Sequence, residues 1–471
     1  MSRQGKLVKN TFVLGIGMIL PKFATLVTLP ILTACLTKEE YGTYDLVIVL
    51  VSMLLPATTL QIQTAAFRFL IDVRDNREKT DAIITNIFAF IIPTAIISLI
   101  VMVFLIPGTF WQKFFICGYF FVDIIVNATR QIARGLSRNM DFSISALLSA
   151  VGKLIFTVVF VWWLGFSLTG ALAALLFAAT ASFVVLAYRI KLFSHIHFNL
   201  ISKTELKEML AYSWPMVPNS LAIWVMNLSD RLVLVAFLGP AANAVYAVAN
   251  KIPNMLTLAQ NTYTMAWQEN ASIASKDEDS TEYYTRMFHA TFNLMAGALG
   301  LLICATPLLF FLLIRGDYNE AFNHMPLLFL AMFFFSMCSF LGGIYVAHKA
   351  TKSVGITTIL AAVCNLAIDF ALVNVIGIYA ASISTLVSFM FLFIYRMINV
   401  RKYEKLKYNI PHIVFVILIL AVESTLCFFQ NPILNIVNIV FGVTVFIVLN
   451  KALTMSIFRR VKNLISRKKK K

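Results

Sequence analysis

Charge is what this sequence has least of. Of 471 residues only 13% are Asp, Glu, Lys or Arg, and 60% are hydrophobic; soluble chains carry about a quarter charged residues. That composition excludes a soluble globular protein. No polar stretch is long enough to build a domain of its own, so whatever the chain does, it does within a bilayer. Cysteine is scarce too. The six (Cys35, Cys117, Cys304, Cys338, Cys364, Cys427) all fall in apolar runs without a CxxC pair, which predicts small buried hydrophobes and no disulfide. Also missing are GxxxxGK[ST], HExxH, GxSxG and any metal-spaced Cys/His cluster. No P-loop motor, metal site, cofactor or catalytic residue is expected.

What is present is a series of apolar runs, each long enough to cross roughly 30 Å of hydrocarbon. They predict an all-α polytopic membrane protein of fourteen helices, near 10–36, 43–65, 82–106, 110–128, 142–165, 169–189, 212–238, 243–267, 287–314, 324–347, 353–376, 378–396, 411–429 and 432–452. The basic head (Arg3, Lys6, Lys9) leads into an apolar stretch too long for a cleavable signal, so it reads as the first span. The net charge of +17 could suggest nucleic acid, but its placement excludes that partner. With the N-terminus inside, thirty-two of the 39 Lys and Arg fall in inside segments and three (Lys38, Lys113, Arg315) in outside loops. This positive-inside asymmetry places both termini in the cytoplasm. The tail "SRKKKK" then reads as an anchor on anionic lipid. His195 and His197, in a basic inside loop, are expected to meet lipid headgroups or solvent.

A weak internal repeat organises the chain. An offset of 202 lays "LTKEEYGTYDLV" (36–47) over "LGPAANAVYAVA" (238–249), and one of 212 lays "GKLIFTVVFVWWLG" (152–165) over "CNLAIDFALVNVIG" (364–377). Six helices per copy keep both copies facing the same way. The expected organisation is an N-lobe of helices 1–6 (1–190), a connecting loop (191–211), and a C-lobe of helices 7–12 (212–402). Two extra helices (403–455) and a basic tail (456–471) complete it.

Polar residues recur on one face of two related spans. The eighth carries Asn243, Asn250, Asn254, Thr257 and Asn261, within an arc of about 60° on an ideal helix. The second carries Asp45, Ser52, Thr59 and Gln63. Such stripes serve either helix–helix hydrogen bonding or a central water-filled cavity between the halves. The seventh span holds Asn227, Asp230 and Arg231. Lys22, Lys153 and Lys251 are further cations at depth, and Asp45, Asp123, Asp369 and Glu423 are acids at depth. A charge there must face water or a partner. Two readings stay open for Asp230–Arg231: a structural ion pair with neighbouring helices, or a substrate contact. The acids Asp45, Asp123, Asp230 and Asp369 are candidates for ion coupling or for structural pairing.

The stretches "LPILTACLTKEEYGTYDLV" and "SDRLVLVAFLGPAANAVYAVANKIP" resemble the repeat signature of bacterial polysaccharide flippases, the Wzx-type oligosaccharide transporters. The pattern covers spans 1–12; Ala244 departs from it where the family usually has glycine. These proteins belong with the multidrug and lipid-linked oligosaccharide exporters, whose two six-helix halves open alternately to each side. The resemblance implies a flippase of the bacterial cytoplasmic membrane moving undecaprenyl-diphosphate-linked oligosaccharide, with the two extra helices as a groove for the lipid tail. It also suggests a polysaccharide polymerase and glycosyltransferases of one pathway as partners, besides membrane lipids. The substrate chemistry fits the candidate cavity residues. Asn227, Asn250, Asn254, Asn261, Ser52 and Thr59 offer hydrogen bonds to sugar, and Lys22, Lys153, Arg231 and Lys251 offer charge to a diphosphate. A cation-coupled multidrug exporter of the same fold is the alternative. A membrane polymerase or ligase is a further rival, although loops this short offer no catalytic platform.

Overall fold

The computed structural model describes residues 25–106, 108–275, 277–451 and 454–455. The basic head, Lys22 and the SRKKKK tail lie outside the described residues. The described chain is helical throughout: α1 Thr25–Cys35, then α2 Lys38–Thr59, α3 Ile62–Val73, α4 Arg77–Leu105, α5 Phe110–Gly135, α6 Asn139–Thr157, α7 Ser167–Arg189, α8 Lys203–Ser213 and α9 Met216–Leu238. There follow α10 Pro240–Ala249, α11 Met255–Ala274, α12 Ser280–Leu313, α13 Asn319–Ala347, α14 Thr351–Ile376, α15 Tyr379–Asn399, α16 Ile410–Phe428 and α17 Pro432–Leu449.

Among the described residues, eleven helices are long and apolar enough to cross a membrane, against fourteen expected. The expected first span lies mostly outside the described residues, and α9, the expected seventh, is not among the eleven. The eighth is a correction: it is two helices, because "NKIPN" (250–254) forms a turn between α10 and α11. Pro253 has no N–H to continue the ladder. The second predicted span breaks as well, at Leu60 and Gln61, both left-handed (φ 44° and 59°). The two breaks do not coincide under the 202-residue offset, so the copies differ in backbone where their sequences align. Neither polar stripe is therefore the face of one straight helix.

Local signals set the helix ends. Thr37 and Glu40 form a reciprocal capping box on α2, as Thr109 and Gln112 do on α5. Asn76, Ser202, Asn409 and Asn431 cap α4, α8, α16 and α17 with their side chains. Large apolar side chains stand exposed along the spans, among them Ile97, Phe104, Val375, Ile433 and Val440. Water would penalise such surfaces, and lipid does not.

The chain divides into two compact units, Met1–Ala244 with Leu313–Gly316, and Val245–Leu312 with Asp317–Lys471. The first takes in α9, which the repeat grouped with the second copy; α9 packs on α2. Within the first unit α7 packs on α5 and α6, and within the second α13 packs on α11, α15 and α16. All six cysteines are free thiols.

The connection after α7 is tied down. His195 Nδ1 lies 2.5 Å from Asp81 Oδ1 and His197 Nε2 lies 3.5 Å from Asp81 Oδ2, while Thr85 donates to the His195 carbonyl. Asn86 donates to Leu200 O and to Glu205, and its Oδ1 accepts from Ser202 N–H. This corrects the expectation of headgroup or solvent contacts for His195, because the start of α4 presents a buried carboxylate to it; His197 stays exposed, as expected, at the edge of the same contact. Asp81→Ala is accordingly expected to speed tryptic cleavage at Lys191 several-fold; cleavage at the wild-type rate would show that the tie holds nothing.

Candidate functional site

Of the two opposite charges of "NLSDRLVLV", the arginine reaches across to another helix. Arg231 Nη1 donates to Asp45 Oδ2 at 2.5 Å, joining α9 to α2, with side-chain exposures of 13% and 5%. Asp230, one residue earlier, is itself buried. Adjacent helical residues point about 100° apart, so the arginine reaches α2 on a direction the aspartate does not share. The seam is fixed further by the Trp224 indole, which donates to Val49 O at 3.2 Å.

Asp45 sits in a larger group of charges within the first unit. The Lys153 ammonium of α6 lies over the Tyr44 ring, 5.5 Å from its centroid, and Asp45 acts on the same ammonium electrostatically. Tyr119 of α5 is coupled electrostatically to Tyr44, Asp123 and Arg130. On that helix Asn127 Nδ2 donates to Asp123 Oδ2 at 3.0 Å. Arg130 reaches out with Nε to Ser145 Oγ (3.0 Å) and Nη2 to Ser182 Oγ (3.2 Å), binding α5 to α6 and α7. Three cations (Arg130, Lys153, Arg231) and two carboxylates (Asp45, Asp123) thus form a connected set, with Asp230 buried on α9 beside Arg231. In low dielectric the charges of such a set interact strongly with one another, and an anion that reaches it competes with Asp45 for Arg231.

Arg130 was not among the predicted site residues, and neither was Arg396. Arg130 lies just past the fourth apolar run (110–128) and Arg396 is the last residue of the twelfth (378–396). Arg396 is buried in the second unit, donating to Thr357 Oγ1, Thr358 Oγ1 and Cys338 O. Each arginine ties three helices of its own unit together through neutral acceptors. The signal for Arg130 was legible: Asp123, Asn127 and Arg130 are spaced i, i+4, i+7, one helical face.

The two signature loops of the repeat meet at one point. A Cβ on Gly42 would stand 1.8 Å from Pro240 O, so the α2 backbone touches the start of α10 directly. Asn243 Nδ2 donates to Gly42 O at 2.9 Å, and Ser167 Oγ at the start of α7 donates to Glu40 Oε1 at 2.5 Å. The YG and LGP motifs are the two sides of one backbone contact.

The remaining candidates divide as follows. Ser52 is exposed and returns its hydroxyl to Val49 O; Thr59 is buried and bonds Leu55 O. Asn250 is buried and donates to Tyr246 O, and Lys251 and Asn254 are partly exposed in the turn before α11. The side chains of Asn227 and Asn261 lie outside the described residues, as does Lys22. Asp369, in the second unit, accepts from Ser384 Oγ at 2.7 Å, which in turn accepts from Asn365. Among the described residues no cluster of His, Cys, Asp and Glu could hold a metal ion.

The sequence model of a family described as "Polysaccharide biosynthesis protein" matches residues 7–268. A search of the curated proteins found no match. Among solved structures, the chain is similar to an inward-facing multidrug resistance MATE family transporter of the MOP superfamily: TM-score 0.68 and 14% identity, over 84% of this chain and 96% of that one. An outward-facing MATE family transporter aligns over the same shares with TM-score 0.57 and 15% identity. A MOP superfamily transporter from Pyrococcus furiosus, whose binding pocket is described as having reverse polarity, aligns with TM-score 0.56 and 13% identity, over 84% and 95%. At these identities the likeness establishes the fold, that of the MOP transporters.

Proposed function

Because the chain belongs to the family of polysaccharide biosynthesis proteins, we propose that this multi-pass membrane transporter is a flippase for undecaprenyl-diphosphate-linked oligosaccharide repeat units. On this reading it works in the bacterial cytoplasmic membrane, with both termini inside, by alternating between inward- and outward-facing states. The observation that carries the reading is the buried set of charges around Asp45, which places the guanidinium of Arg231 and the ammonium of Lys153 within the first unit. An enzyme of the same pathway would need a reaction site, whereas a carrier of a diphosphate needs only charge to receive it and hydrogen bonds for sugar.

Arg231 then has two partners in turn. Asp45 holds the guanidinium in the absence of substrate, and the diphosphate competes for it in transit. A guanidinium presents a planar fork of donors that an ammonium lacks, so Arg231→Lys keeps the charge opposite Asp45 and loses the bidentate grip. Ser52, Thr59, Asn227, Asn250, Asn254 and Asn261 remain the proposed sugar contacts, with Lys22, Lys153 and Lys251 as further cations. A polymerase and glycosyltransferases of the same pathway would act before and after it.

Reconstituted vesicles test this with a fluorescent lipid-linked oligosaccharide and, in parallel, a cationic dye. The wild type is expected to flip the lipid and not to export the dye, and Arg231→Lys to lose most flipping at normal protein levels. Dye export without flipping would replace this reading by the cation-coupled multidrug exporter, which the acids Asp45, Asp123 and Asp369 would serve. Orientation is checked with single cysteines in a cysteine-free background. Those at Glu39, Asn319 and Asn431 are expected to react with an impermeant thiol reagent from outside, and those at Asn76 and Lys203 to be silent. Labelling of Lys203→Cys from outside would invert the proposed topology.

A further inference from the structure

Two of the predicted acids at depth stand outside the charge set, Asp369 and Glu423; Asp369 accepts from Ser384, whereas Glu423 of α16 has surroundings of another kind. The side chain is 0% exposed, and among the described residues neither Oε1 nor Oε2 has a hydrogen-bond partner. A Cβ on Gly300 of α12 would stand 2.7 Å from Oε2, and one on Gly442 of α17 would stand 3.5 Å from Oε1. The carboxyl group is therefore held where two glycines let α12 and α17 approach α16. The Asn438 Nδ2 of α17 donates to the Glu423 carbonyl at 3.2 Å, leaving its own buried Oδ1 without a partner among the described residues. Ser424 Oγ is buried in the same condition.

The charged groups of the packed helices lie elsewhere. On α12 they are Glu282, Arg286 and His289, all in the first third of a 34-residue helix, and Cys304 is the titratable neighbour that faces Glu423. The Cys304 thiol is committed to Asn438 O at 3.0 Å. On α13, Glu320 is exposed and His324 is bonded to Ser382. On α16, His412 is bonded to Asn293, and α17 carries no charged residue. A bare carboxylate so placed would bear the full desolvation cost of a charge with no compensation. Among the described residues nothing donates a hydrogen bond to the carboxyl group, and no cation pairs with it.

We propose that Glu423 is a proton-binding site: the carboxyl group is neutral while α16 and α17 are packed on α12, and it releases its proton only when that seam admits water. The bound proton supplies the missing donor to a pocket of oxygen acceptors that includes Asn438 Oδ1. Glu423 lies seven residues before Gln430, roughly 10 Å along the helix axis, so a modest parting of the α16–α17 turn exposes it. The site belongs to the helix pair beyond the repeat and stands whether or not the substrate is a lipid-linked sugar.

Infrared difference spectroscopy of the full chain in vesicles, wild type against Glu423→Gln, tests this directly. A protonated-carboxyl band that shifts in heavy water is expected at neutral pH, to vanish reversibly in alkali and to be missing from Glu423→Gln. Carboxylate bands in its place at neutral pH would overturn the proposal. So would a band abolished by sodium at constant pH, which would make this a sodium site instead. Should Glu423→Gln fail to accumulate, the same titration on Asn438→Leu is expected to keep the band at shifted frequency, and an unshifted band would remove Asn438 from the site.

Discussion

Asp45→Ala is expected to cost about 3–5 kcal/mol of folding stability, the penalty for stranding a buried charge by removing its partner. Two cations depend on this carboxylate: Arg231, bonded to it at 2.5 Å, and Lys153, which it acts on through the apolar interior. The Arg231 side chain is only 13% exposed, so it does not reach water by a small rotation. The loss should appear as poor accumulation in the membrane and early thermal aggregation in detergent. Asp45→Leu combined with Arg231→Leu should recover much of the stability, since replacing a whole buried pair by apolar residues is often neutral. Transport should not recover, because the guanidinium proposed to receive the diphosphate is gone. If Asp45→Ala were as stable as the wild type, the pair would be a surface-like contact and the cluster would lose its place as the candidate site. Normal flipping by the stable double variant would remove Arg231 from the proposed mechanism.

Gly42→Ala is the second substitution with a large expected effect, although it adds a single methyl group. That methyl would stand 1.8 Å from Pro240 O and 2.6 Å from Pro240 C, both backbone atoms that no rotamer change can move aside. The helix must shift, and the Asn243 bond to Gly42 O is lost with it. Overpacking of this kind costs about 1–3 kcal/mol, and the broken hydrogen bond adds about 1 kcal/mol. The control is Gly355→Ala on α14, where the added Cβ meets nothing within 4 Å. There the change should be neutral or slightly stabilising, because alanine favours helix over glycine. Equal thermal shifts for the two variants would show that the YG motif has no packing role.

Apolar run length and the Lys/Arg distribution are local properties, and several of the helices they predict match closely: α7, α14, α15, α16 and α17 lie within about three residues of expectation at both ends. The resemblance carried by "LTKEEYG" and "SDRLVLVAFLGP" also led to the right family. What those motifs do was not legible. Gly42 and Pro240 are 198 positions apart, and only packing brings one backbone against the other. Arg130 and Arg396 stand at the ends of apolar runs, where a hydropathy window does not show which way a side chain turns. In the fold both turn inward onto serine, threonine and carbonyl oxygens. The polar stripe of the eighth span failed for a different reason: its arc assumed unbroken helix through Pro253, and the backbone turns there.

By itself the sequence determined that this is a membrane-spanning helical chain, because the cost of exposing backbone and charge to lipid leaves few alternatives for such a composition; its family rests on the motifs and the family model. The tertiary structure decided which charges meet. Arg231 could have faced a cavity, a lipid headgroup or any of several acids; that it takes Asp45, while among the described residues no cation pairs with Glu423, depends on helix rotation and on glycines that let backbones touch. Those are properties of contact between distant segments, and no local pattern encodes them.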